Sequence, residues 1–155
     1  MDDMEMRMER SIKKRRILNL IILGFILVGI LFYYIRLPVS TASWFVPFKV
    51  ESPSYIPLNV ENSYAKIVGF NRVKLVFEST DETLITWVTT KIGWSNVSSW
   101  DEKITLANGT PAYYNETEEG QMISWRLEDV EYAIDFTGNT PIPKEQLIKI
   151  ASSIK

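Results

Sequence analysis

Residues 122–136 read Met-Ile-Ser-Trp-Arg-Leu-Glu-Asp-Val-Glu-Tyr-Ala-Ile-Asp-Phe. Ile123, Trp125 and Leu127 alternate with polar or flexible neighbours, which is the period of a β-strand. Glu128-Asp129 is polar and short. Beyond it Val130, Tyr132, Ile134 and Phe136 alternate in the same way. Two such runs joined by a two-residue turn pair antiparallel. Their apolar sets fall on one face, so the sheet they belong to has a dry side that something must cover.

The same pattern extends upstream. Val73, Leu75 and Phe77 point one way, with Lys74 and Glu78 the other. Residues 79–82 form a turn, and residues 83–89 form a strand containing Leu84, Ile85, Trp87 and Val88. Ile104, Thr105 and Leu106 precede Asn108-Gly109, a strong hairpin signal because both residues tolerate positive φ. The returning strand, 110–114, sets Tyr113 and Tyr114 on opposite sides. Residues 64–68 have short strand character. Five to seven antiparallel strands with one apolar side follow. Trp87 and Trp125 are both expected in the core or under a packing helix.

Downstream the period changes. Leu147, Ile148, Ile150, Ala151 and Ile154 form a helical stripe. Pro143 suits the first helical position, and Lys144, Glu145, Gln146 and Lys149 take the wet side. A helix of about twelve residues is marginal alone, so it packs its stripe on the sheet. The expected domain is α+β, a small antiparallel β-sheet packed by a C-terminal α-helix.

At the other end, residues 17–35 form an unbroken apolar run from Ile17 to Ile35, preceded by Lys13, Lys14, Arg15 and Arg16. At ~1.5 Å per residue the run is about 28 Å long, close to the hydrocarbon thickness of a bilayer. An N-terminal transmembrane helix is therefore expected, with the lipid bilayer as a partner. The four cations place the N-terminus in the cytoplasm and the rest outside, in a single-pass cell-membrane protein. The division is a basic tail 1–16, a membrane helix 17–35, a proline-rich spacer 36–57 and an extracytoplasmic domain 58–155. Ser40 and Ala42 offer the alternative of a cleaved secretory signal.

Charge and composition narrow the chemistry. The chain carries 17 Lys and Arg against 19 Asp and Glu, and the acidic excess lies beyond residue 36. No basic stripe is present to neutralise phosphates, so nucleic acid is not an expected partner. There are no His and no Cys. A Ser-His-Asp triad, a thiolate nucleophile and zinc sites built on these ligands are excluded. No cofactor is expected. A cysteine-free exported domain points to a bacterial cell surface. The acids at 81–82, 101–102 and 116–119 sit in turns or loops, and none has the spacing of an EF-hand loop. The candidate binding residues are Trp94 and Trp100, which bracket a polar loop and can form an aromatic patch for a protein partner.

The stretch from Met122 to Trp125, then Tyr132 to Phe136, then Pro143 to Ile154 resembles a bacterial family. It is similar to the domain of unknown function that ends many membrane-anchored proteins of Gram-positive bacteria. Asn108 to Tyr114 resembles the strand before it, and the likeness covers roughly residues 54–155. The family pattern has a glycine in the turn that here reads Glu128-Asp129-Val130. The resemblance implies no established activity, and its distant analogues are lipoprotein carriers and periplasmic regulators. The expected function is a non-enzymatic sensor or accessory module contacting a cell-surface protein. One alternative is a carrier with an apolar cavity lined by Val73, Leu75, Phe77, Trp125 and Ile134. Another is an envelope-glycan enzyme with two convergent carboxylates.

Overall fold

The computed structural model describes residues 2–91, 93 and 100–155, with the side chains of 2–12 and 31–33 outside the description. The chain forms two compact units, Met1–Ile35 and Arg36–Lys155.

The first unit is helix α1, Asp2–Tyr34. The helix does not begin at the apolar run: it continues through Lys13, Lys14, Arg15 and Arg16, which are exposed on it. Among the described residues no helix is long and apolar enough to cross a membrane. This overturns the transmembrane helix expected from Ile17 to Ile35.

Among its described residues the second unit contains seven antiparallel strands in one sheet, β1 to β7 in chain order and ordered β1-β2-β3-β7-β6-β5-β4. The strands are β1 Asn62–Ile67, β2 Arg72–Glu78, β3 Glu82–Thr89, β4 Glu102–Thr105, β5 Pro111–Thr117, β6 Gly120–Leu127 and β7 Val130–Gly138. The quoted hairpin is β6–β7, with Ile123 opposite Ile134, Trp125 opposite Tyr132 and Leu127 opposite Val130. The two-residue turn holds Glu128 at φ +55°. A glycine would adopt that conformation without the steric penalty of a Cβ.

Cross-strand register gathers the core onto one face. Val73, Leu75 and Phe77 of β2 lie opposite Val88, Thr86 and Leu84 of β3. These in turn lie opposite Tyr132, Ile134 and Phe136 of β7. Helix α2, Lys144–Ser152, covers this face with Leu147, Ile150 and Ala151. Val73, Leu75, Phe77, Trp125 and Ile134, expected to line a carrier cavity, are at most 6 % exposed and belong to one packed cluster with the α2 residues. Trp125 stacks on Tyr132 with centroids 5.5 Å apart.

The segment 36–57 is not a spacer. Leu37 pairs with Ala65 of β1, and a 3-10 helix, Val39–Phe45, follows. Ala42 and Val46 are buried, and Leu37, Val39, Phe48, Val50, Tyr55 and Ile56 pack on the same core. Past the 3-10 helix, Pro47, Pro53 and Pro57 suit a stretch without regular secondary structure. This strap is tied to α2 at Ser153. The Ser54 and Tyr55 N–H groups donate to Ser153 Oγ at 3.1 and 3.2 Å. Ser54 Oγ donates to the Ser153 carbonyl at 3.0 Å.

Gln121 positions the approach to α2. Its amide donates to the Ile142 carbonyl and accepts from the Ile142 N–H, both at 2.9 Å, as a neighbouring strand would. It also donates to the Tyr114 hydroxyl at 3.0 Å. That hydroxyl donates to Glu116 Oε2, and burial first, then this acceptor, pushes the phenol up to about 12.

Candidate functional site

The face of the sheet opposite α2 carries the other side chain of each alternating pair. Trp87 lies opposite Ala133, Ala133 opposite Ser124, and Ser124 opposite Tyr113. Two small side chains thus separate two aromatic ones along about 14 Å of sheet, at ~4.8 Å per strand. Ala133 and Ser124 are buried, whereas Tyr113 is 40 % exposed. The neighbouring row runs from Ile85 to Asp135 and on to Met122.

Asp135 is the unusual member of this face. It lies on β7, the central strand of the seven, between Ile85 and Met122. Carboxylates are rarely buried without a partner. The Trp87 indole N–H donates to Asp135 Oδ2 at 2.7 Å. The second oxygen, Oδ1, is buried with no hydrogen-bond partner. Burial holds the carboxyl above its usual range, opposed by the Trp87 hydrogen bond and by the charge of Lys74. Lys74 Nζ sits over the Trp87 ring, 5.3 Å from its centroid, a distance at which the ammonium is attracted to the π face.

Trp87 was expected in the core and is not. In β3 the even-numbered Leu84, Thr86 and Val88 face α2, so the odd-numbered Ile85 and Trp87 face away. Trp125 occupies the core as expected.

Of the two tryptophans expected to form a binding patch, Trp94 lies outside the described residues. Trp100 is half-buried, and its ring lies 5.9 Å from that of Tyr113, tilted by 40°. Trp100 therefore leans on the sheet face instead of standing free. The link from β3 to β4 must pass β7, β6 and β5 in the sheet order. Its described anchors are both on this face. The Gly93 N–H donates to Glu131 Oε2 at 2.8 Å, and Trp100 meets Tyr113.

Sequence reasoning missed Asp135, Trp87 and Lys74 as a group. A signal was present: Asp135 is the only charged residue between Tyr132 and Phe136, and strand parity puts it on the side away from the apolar set.

Chemically, the face offers a dry carboxylate oxygen beside an indole that carries an ammonium over its ring. The nearest acid on the same strand and face is Glu131, four residues away, or about 13 Å at ~3.3 Å per residue. That exceeds the carboxylate spacing of both retaining and inverting glycosidases. Among the described residues no group of acids is placed to hold a metal ion.

Residues 51–154 match the model of a family described as a domain of unknown function, DUF4367. No curated protein matches the chain, and no solved structure matches it.

Proposed function

Because the chain belongs to the DUF4367 family of domains of unknown function, we propose a role from its own geometry: a protein-recognition module, not an enzyme. Its contact surface is the sheet face around Asp135 and Trp87, bordered by Tyr113 and Trp100. The observation that supports this reading is the buried, unpartnered Oδ1 of Asp135. An acceptor kept from water and left unfilled costs free energy until a donor reaches it. A partner's N–H or ammonium supplies that donor.

A protein is favoured over a small molecule for two reasons. Small ligands prefer concave, largely apolar pockets, whereas this surface is the broad face of a sheet. Its mixture of Trp, Tyr, Met and a few polar groups is the composition of an interface centre. The partner proposed is another protein at the cell surface.

The test is a photo-reactive phenylalanine at Tyr113 of the full chain, in cells that make the protein, with adducts read by mass spectrometry. The expected result is one protein adduct that disappears when Asp135→Leu is added, while the circular dichroism of the double variant is unchanged. An adduct indifferent to Asp135→Leu, or a lipid adduct alone, sinks the proposal.

A further inference from the structure

The β1–β2 hairpin ends in Val68-Gly69-Phe70-Asn71. The Val68 N–H donates to the Arg72 carbonyl at 2.8 Å, closing the loop, and Gly69 makes the bend at φ +86°. Phe70 is 90 % exposed, above Trp44 at 80 %, and Val68 is 39 % exposed. The tip is nevertheless held in place. The Asn71 carbonyl accepts from the Thr90 N–H at 3.1 Å and from Thr89 Oγ1 at 2.8 Å. A fixed loop thus presents a phenylalanine to solvent, with Val68 beside it.

The surroundings of this tip are cationic. Lys66 and Arg72 stand at the two stems, and Lys91 is exposed beyond Thr90. Arg36, the first residue of the unit, and Lys66 share the Tyr64 ring, at 4.3 and 5.8 Å from its centroid. The nearest acid of the sheet at this end is Glu131, opposite Thr89 in β3 and accepting from the Gly93 N–H at 2.8 Å; Glu128 and Asp129 lie farther off, at the β6–β7 turn, across β3 and β7 in the sheet order. The cation cluster stands out because residues 37–155 are acidic overall.

We propose that this hairpin tip docks the domain on an anionic lipid surface. Phe70 and Val68 enter the boundary between head groups and acyl chains, while Lys66, Lys91 and Arg36 meet the head-group charge. A lipid surface fits better than a protein. The feature is a convex point with an apolar apex and a basic collar, matching the layering of an interface, and a point offers little of the area that a protein contact buries. The surface is distinct from the Asp135 face and does not depend on the reading given to that face.

The apolar side chains of α1 give the full chain another means of meeting vesicles, so the readout must be local. The chain has no cysteine, and a single introduced thiol is therefore the only labelling site. An environment-sensitive fluorophore is placed on Val68→Cys, and in a second protein on Thr80→Cys at the opposite end of β2. Full-length protein is mixed with vesicles of phosphatidylcholine, with or without phosphatidylserine. The expected result is a blue shift and an intensity gain of about twofold at position 68 with phosphatidylserine, weakened by salt and by Phe70→Ser, with position 80 unchanged. No response at 68 overturns the proposal, as does an equal response at 80 or with phosphatidylcholine alone. A response that survives both Phe70→Ser and Lys66→Glu overturns it too.

Discussion

Trp87 and Asp135 are diagonal neighbours across the β3–β7 pair, Trp87 facing Ala133 while Asp135 faces Ile85. The indole N–H reaches Asp135 Oδ2 at 2.7 Å. The diagonal reach lets a large side chain satisfy one carboxylate oxygen while the other, Oδ1, stays buried without a hydrogen-bond partner.

This arrangement has a pH signature. Burial raises the Asp135 carboxyl in the folded protein. Between its unfolded and folded titration points the folded state holds the extra proton, so stability falls as pH rises. The contribution is fully present below the unfolded carboxyl range and is lost as pH passes the raised folded value. Asp135→Asn removes that titration and keeps an acceptor for Trp87. The stability of the variant relative to the parent is expected to increase from pH 4 to pH 7, measured as urea midpoints. A constant difference across that range would contradict the assignment.

Thr86 offers a second test. It is fully buried, lies between Leu75 and Ile134, and its hydroxyl has no hydrogen-bond partner. Thr86→Val removes an unsatisfied group at nearly constant shape. It is expected to stabilise the domain by about 1 kcal/mol, seen as a higher urea midpoint with an unchanged slope.

Glu128 is the described non-glycine residue with positive φ, at +55°. Glu128→Gly relieves that conformation and is expected to stabilise by about 1 kcal/mol, less the extra chain entropy of glycine. Glu128→Ala keeps the Cβ and is expected to change little. Thermal midpoints of the two variants separate backbone relief from loss of the side chain.

Gln121 makes three hydrogen bonds, two of them to the backbone of Ile142. Gln121→Leu leaves the Ile142 N–H and carbonyl without those partners. A loss of roughly 2–4 kcal/mol is expected. Hydrogen exchange at the Ile142 amide should accelerate by more than the global loss of stability explains.

Much of the fold was legible because the β-strands alternate strictly. The registers of β2, β3, β6 and β7 follow from Val73, Leu84, Ile123 and Tyr132 and their i+2 neighbours, and the α2 stripe follows from Leu147 and Ile150. Two regions misled for opposite reasons. In 36–57 the prolines suggested a stiff linker, yet Leu37, Ala42 and Val46 pack on the core from an isolated bridge, a 3-10 helix and its flank, where periodicity carries no signal. From Ile17 onward, apolar length suggested a span, but no helix among the described residues is long and apolar enough to cross a membrane. The Asp135 face was hidden by parity. Ile85, Trp87 and Val88 read together as an apolar run, and only the pairing of β3 with β7 shows Trp87 meeting a carboxylate. Strand order, with β3 and β4 separated by three strands, is a long-range property that local pattern does not encode.

Ser54 and Ser153 are 99 residues apart in sequence and in direct contact. At roughly 5–20 residues per second of synthesis, about 5–20 s pass between their arrivals. Strands such as 83–89 are made within that interval, and until Ser153 emerges their apolar side is without the cover that α2 gives in the folded domain.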